Sequence, residues 1–576
     1  MALIPGLASL PGEGPRNASF LSGGGRFRDR LTTAGIILLC LLISIPVLTI
    51  AVSLGRDSGG VWQHLLDTLL WSYIGQSLVL MGGVGLLVLV FGIIPAWLVT
   101  MTRFPGSRLL EWALVLPLAM PAYIIAYTYT GMLDITGPVQ TWIRESTGLA
   151  FGEYWFPDIR SMGGAITMLA LVLYPYVYLL SRMAFMEQSV CVLEVSRTLG
   201  AGPLTAFRRV ALPLARPAIV AGLALVLMET LADYGTVQYF GLSTFTTGIF
   251  RTWFGMGSPT AAAQLSAVLM TFILVLVLTE QWSRNRSRYF HTSNRYSRLP
   301  QPRLRGWKAW IALLACGFPV LAGFLVPVFQ LVLWALQSWS VINRDDFLEL
   351  TYNSLRLAVM AAVIVLTLAM LVAYLKRLRP GLLMRSVFRV LGLGYAIPGT
   401  VIAVGILIPF AAFDNGIDSF MRARFDFSSG LLLSGTLVAV LFAYVVRFLP
   451  VAMNTIDAGL GKIKPTMDDA GRSMGYTAWQ LLRRIHIPML RSSLLTASLL
   501  VFVDVLKELP ATLILRPFNF NTLAIRTYEL ANQERLAEAA ASALMIVLAG
   551  IIPVIILSLS ISGSRPGYDK LRRQGT

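Results

Sequence analysis

Two stretches of this chain share one spacing: EVSRTLGAGPLTAFRRVALP from Glu194 to Pro213, and DAGRSMGYTAWQLLRRIHIP from Asp469 to Pro488. In each, an acidic residue precedes a glycine (Gly200, Gly475) by six positions, and a proline follows that glycine by thirteen. The copies lie 275 residues apart. The same offset sets Glu229 on Asp504, Asp233 on Glu508, Arg251 on Arg526, Thr252 on Thr527 and Trp253 on Tyr528. Further upstream, Pro121 in LPLAMPAYIIAY matches Pro398 in LGYAIPGTVIAVG at an offset of 277. A parallel duplication implies two similar halves related by an axis along the membrane normal, and such an axis is a natural place for a pathway.

The membrane enters through composition. Of 576 residues, 56% are hydrophobic and 13% charged, and the mean hydropathy is +0.70. Those values belong to a bilayer protein. The net charge of +18 raises nucleic-acid binding, and the linker SRNRSRYFHTSNRYSRLPQPRLR mixes arginine with aromatics. Its distribution argues against that class. Lys and Arg gather in the N-terminal tail, after the second apolar run, in both signature segments, in the linker, around Lys376 to Arg389 and at the C-terminus. These are alternate loops, as the positive-inside rule requires. Spans of about 20 residues centre near residues 44, 87, 121, 175, 225 and 271, then near 322, 363, 398, 439, 500 and 550.

The expected architecture is all-α: about 12 transmembrane helices in two six-helix repeats, with both termini cytoplasmic. The boundaries fall at 1–30 for an N-terminal tail, 31–282 for the first half, 283–307 for a basic linker, 308–563 for the second half and 564–576 for a C-terminal tail. Cys40, Cys191 and Cys316 are scattered and show no disulfide or metal spacing. His64, His291 and His486 are equally isolated, so each is expected at the surface or in a loop.

Within the signature segments, Gly200 and Gly475 are expected to end a short helix. Phe207 and Trp479 then open apolar stripes, Thr477 caps, and Pro213 and Pro488 sit where the next helix starts. An interfacial amphipathic helix has no need of this fixed register. The two segments resemble the EAA loop of ATP-binding-cassette importer permeases. METLADYGTVQYFG from Met228, TFTTGIFRTWFG from Thr244 and DVLKELPATLILRPFNFNTLAIRTYELA from Asp504 extend the likeness, and the chain from about residue 30 to 562 resembles a fused two-half permease of the ferric iron importer family. The copies depart from the family pattern in Val195 and Ser196, and in Asp469 followed by Ala470 and Gly471.

The resemblance implies a type I (MetI-like) importer fold in a bacterial inner membrane, whose loops, marked by Glu194, Gly200, Phe207, Pro213, Asp469, Gly475, Trp479 and Pro488, dock on an ATPase dimer. It also implies a periplasmic iron-binding protein as the donor of cargo. ATP and Mg would be bound by the partner, and no cofactor is expected in this chain, which lacks G-x-x-x-x-G-K-[ST]. No catalytic residues and no nucleic-acid partner are expected; lipid surrounds the chain.

Acids inside a membrane span are functional candidates by default. Glu229 lies sixteen residues past Pro213, about 24 Å along a helix at ~1.5 Å per residue. Asp233 follows one turn later, and the counterparts Asp504 and Glu508 repeat this i, i+4 spacing, which would place two acids on one helix face in each half. A hard trivalent cation prefers carboxylate and phenolate oxygen, so these four acids, with Tyr234 outside them, are candidates for transient ferric contacts. The competing reading is a structural network in which Lys507, Arg251 and Arg526 neutralise the acids. Those cations would equally suit an anionic cargo such as a phosphonate or sulfate, or a thiamine-type solute. An ion-gradient carrier is a further class, which the paired loops disfavour. If the linker only tethers, the halves separated near Ser293 and expressed together should give a working transporter; inactivity of stable, inserted halves in an uptake assay would contradict that.

Overall fold

The computed structural model describes residues 23–150, 152–187, 202–285, 302–340 and 344–563. Among the described residues, ten helices are long and apolar enough to cross a membrane, and two bent pairs raise the number to twelve if each pair is one span. In the first half these are α1 (Gly23–Ser53), α2 (Leu70–Met101), a pair bent by 94° that ends in α3 (Ala122–Leu133) and its extension to Thr147, α4 (Met162–Glu187), α5 (Leu212–Ala232) and α6 (Pro259–Asn285). The second half has α7 (Trp307–Val320), continued by a π-helical turn and then α8 (Val326–Ser338). It goes on through α9 (Arg344–Leu378), α10 (Gly399–Phe425), α11 (Leu437–Gly461), α12 (Arg491–Leu506) and α13 (Leu536–Gly563). The predicted all-α, two-repeat architecture holds among the described residues.

Several predicted centres are breaks instead. Pro121 and Pro398 stand at helix starts in extended conformation, each preceded by a 3₁₀ turn (Leu116–Ala119, Leu393–Ala396). A proline supplies no N–H and disfavours helix in the residue before it, so the duplicated proline ends one segment and begins the next. Residue 439 is likewise near the start of α11, and residue 500 lies in the second arm of the other bent pair, whose angle is 77°.

Contacts between loops sort them onto two sides. On one side, Arg103 exchanges backbone bonds with Pro302 and Leu304 at 3.0 and 2.8 Å, Arg379 bonds Thr33, and Tyr374 Oη donates to Ala478 O at 2.6 Å. This side carries the basic loops. On the other, Arg160 reaches Asp134 and Glu534 at 3.4 and 3.2 Å, and Gln264 donates to the carbonyls of Ser53 and Arg56.

The halves are interlocked. α1 packs against α10 of the other half as well as against α6, and α7 with its π turn packs on α2 and α4. Tyr129 Oη on α3 donates to Ala322 O in the same π turn at 2.8 Å. Backbones meet directly: a Cβ on Gly405 would lie 2.5 Å from Pro46 O, and one on Gly323 would lie 2.6 Å from Leu171 O. The first span of each half therefore straps the opposite half, an arrangement the linear boundaries do not convey. Gly405→Leu should destabilise the protein by about 1–3 kcal/mol through overpacking. Gly416→Leu, in the same helix with open space around it, should be tolerated. Thermal unfolding in detergent distinguishes them, and equal stability of the two variants would contradict the strap.

Candidate functional site: a cavity between the halves

Both duplicated helices stop in the middle of the protein. α5 ends at Ala232 and α12 at Leu506, so Asp233 and Glu508 follow the helix ends and do not share a helix face with Glu229 and Asp504. The i, i+4 spacing is present but the helix is not, because each second acid takes another task. Asp233 accepts from the backbone N–H of Thr236 and Val237 at 3.0 and 3.1 Å and from the Thr236 hydroxyl at 3.0 Å. Glu508 accepts from Ala511 N at 3.1 Å. Each acid caps the short helix after the break (Gly235–Tyr239, Pro510–Leu515), supplying acceptors for N–H groups that have no partner inside a helix.

All four acids nevertheless line one cavity of about 130 Å³, which also receives Tyr123, Tyr176, Tyr234, Tyr395, Arg447 and Lys507. Lys507 Nζ lies 2.8 Å from Asp504 Oδ1, as its i, i+3 spacing predicts. Arg447 Nε lies 3.5 Å from Glu508 Oε2. Arg251 and Arg526 do not neutralise these acids: Arg251 is exposed and donates to Ser243 Oγ at 3.2 Å, and neither forms an ion pair with them. Sequence reasoning missed Arg447. The signal was a lone arginine within the apolar run LVAVLFAYVVRFLPVAMN, subject to the same rule that singled out the acids. Tyr234 is buried, stacked on Phe250 with ring centroids 4.3 Å apart.

The cavity is electrically lopsided. At the offset of 275, the first half has Val172 where the second has Arg447, and Ala232 where the second has Lys507. Both lining cations thus come from one half, and neither pairs with Glu229. Among the described residues no three His, Cys, Asp or Glu side chains are grouped as a metal site. The four acids do not converge into a carboxylate cage.

The second signature loop forms as its spacing predicts. Helix Pro465–Ser473 is followed by Gly475 with φ +81°, Thr477 and Gln480 form a capping box, and a π-helical turn at Leu482–His486 leads towards α12. A matching π turn, Phe207–Ala211, occupies the same register in the first half. There Phe207 packs on Trp97 and Phe185, with centroids at 4.9 and 6.4 Å, and Pro213 is at the start of α5. Glu194 and Gly200 lie outside the described residues. Asp469 and Trp479 are exposed.

His486 corrects the expectation of a surface or loop histidine. It is buried, with Nε2 2.8 Å from Asp468 Oδ1, and Arg377 Nε donates to Asp468 Oδ2 at 2.8 Å. Burial pushes the Asp468 carboxyl up, but the hydrogen bonds from Arg377 and His486 outweigh it and hold it below the usual carboxylate range. The clamp is therefore intact at neutral pH and is lost only as pH falls through that lowered value. It fixes the loop to the end of α9, and Leu193 and Ala211 replace its acid and histidine in the first-half sequence.

Residues 88–284 and 365–570 each match the family described as the binding-protein-dependent transport system inner membrane component. The chain belongs to that family. This permease is 26% identical over 539 residues to the Fe(3+)-transport system permease protein FbpB 2 of Haemophilus influenzae, an alignment covering 91% of this chain and 96% of the relative. It is 23% identical to the ferric transport system permease protein FbpB of Actinobacillus pleuropneumoniae, over 83% of this chain and 70% of that one. The molybdenum transport system permease protein ModB of Escherichia coli is 26% identical over 204 residues, covering 34% of the permease and 86% of ModB.

Breaking the Arg447 pair leaves a buried charge alone, at a cost of about 3–5 kcal/mol. Glu508→Ala removes the pair and the cap together and should lower thermal stability by at least that order. Adding Arg447→Met should restore part of the loss. Wild-type stability of the single variant would show that the cap and pair carry nothing.

Proposed function

We propose that this permease passes ferric iron from a periplasmic binding protein to the cytoplasm, driven by ATP hydrolysis on a separate ATPase dimer. The observation that carries the reading is the cavity. It is shared by both halves and lined by carboxylate and phenol oxygens, the donors a hard trivalent ion prefers, in a chain aligned along nearly its whole length with a ferric permease. Molybdenum and sulfate permeases align with 34% and 42% of the chain, against 91% for the ferric permease. In this reading the basic face, with both termini, is cytoplasmic.

The second signature loop suits an ATPase groove. Met474 and Trp479 are 65% and 64% exposed on a segment otherwise rich in polar residues, and the Asp468 clamp ties that segment to α9. Force applied to the loop would reach α12 through the π turn and Pro488, and with it Asp504 at the cavity. The first loop would take the equivalent place through Phe207 and Pro213. Alternating access would then open the cavity to one side at a time.

The permease reconstituted with its ATPase and loaded binding protein should accumulate radioactive iron only with hydrolysable ATP. Gly475→Leu, which forces a side chain into a left-handed backbone conformation, should leave the permease inserted and cut uptake and stimulated hydrolysis severalfold. Uptake of molybdate or sulfate in place of iron would overturn the cargo, and full coupling in the variant would overturn the docking role.

A further inference from the structure

Resting on the iron reading, we infer that the seat for cargo is a mixed-oxygen site formed by Glu229 and Asp504 with the phenols of Tyr176 and Tyr395, and that Lys507 is the resident counter-ion cargo displaces. Glu229 and Tyr176 come from the first half, Asp504 and Tyr395 from the second. Tyr176 and Tyr395 adjoin each other and share the lining of one cavity with both carboxylates. The other two acids are committed to capping, as described above, which leaves one carboxylate from each half.

One further feature points to a ligand: the Tyr123 hydroxyl, on a residue 6% exposed, lines the same cavity with no hydrogen-bond partner among the described residues. Buried polar groups are ordinarily satisfied, and each exception calls for an occupant or a task. The Lys507 ammonium holds Asp504 at 2.8 Å. At equal distance and dielectric a trivalent ion attracts a carboxylate three times as strongly as an ammonium does. Cargo can therefore take Asp504 from Lys507, and departure of cargo returns the lysine to its pair. Each phenol that ligates iron releases its proton to water.

The test titrates ferric nitrilotriacetate into the purified permease–ATPase complex and records the visible charge-transfer absorption of a ferric phenolate, alongside iron uptake in vesicles. Wild type should develop the band, and Tyr176→Phe with Tyr395→Phe should abolish it and cut uptake severalfold. Stimulation of the ATPase by loaded binding protein reports that the variant is assembled; if the double variant fails that control, the single variants are read in its place. Glu229→Gln should weaken the band, and Lys507→Gln should shift half-saturation to lower iron. Wild-type uptake without a band, or phenylalanine variants as absorbing and active as wild type, would overturn the seat. An unshifted titration in Lys507→Gln would overturn the counter-ion. Absence of iron uptake by wild type would instead refute the transport reading beneath both.

Discussion

A helix that ends among apolar groups leaves backbone N–H and C=O groups without water to bond them, and each such group is costly there. This protein ends two helices in its middle, at Ala232 and Leu506, and in each half the acid after the end caps the short helix that follows. The break makes room for a cavity. The cap makes the break tolerable. Asp233 and Glu508 thus explain how the interior is shaped, and they leave Glu229 and Asp504, the earlier acid of each pair, as the carboxylates free of that duty.

Duplication supplies the two halves, and divergence between them supplies the chemistry. Arg447 and Lys507 face a cavity whose first-half counterparts are Val172 and Ala232. A symmetric site with four acids and no cation would be hard to keep charged in a membrane. Placing both cations in one half neutralises two acids and leaves the other half's carboxylates open to cargo or capped by backbone. The same divergence marks the signature loops, since the Asp468–His486–Arg377 clamp belongs to the second copy. The halves are held together by straps at Pro46 and Gly323.

Much of this was legible in the residues, because the strongest signals in a membrane chain are hydropathy and charge. The twelve apolar segments, the two repeats, the Gly475 turn, the Thr477 cap and the Lys507–Asp504 pair follow from local rules of spacing. What local rules could not convey depends on breaks and on distant partners. An i, i+4 spacing reads as a helix face until the helix is known to stop between the two acids, as it does after Ala232. Pro121 and Pro398 lie within continuous apolar runs, so hydropathy reads them as centres of spans although their backbone begins new helices. His486 appeared isolated because Asp468 and Arg377, eighteen and 109 residues away in sequence, meet it only in the fold. Arg447 was overlooked although a single charge in an apolar run was its own signal.

The central claim is that cargo iron passes through the cavity shared by the two halves. Anomalous scattering at the iron absorption edge, measured on the permease–ATPase complex trapped with cargo and a non-hydrolysable nucleotide, locates the metal directly. The account predicts an iron peak between Glu229 and Asp504. Iron found only at the outer loops or at the nucleotide, with the cavity empty of it, would contradict the account.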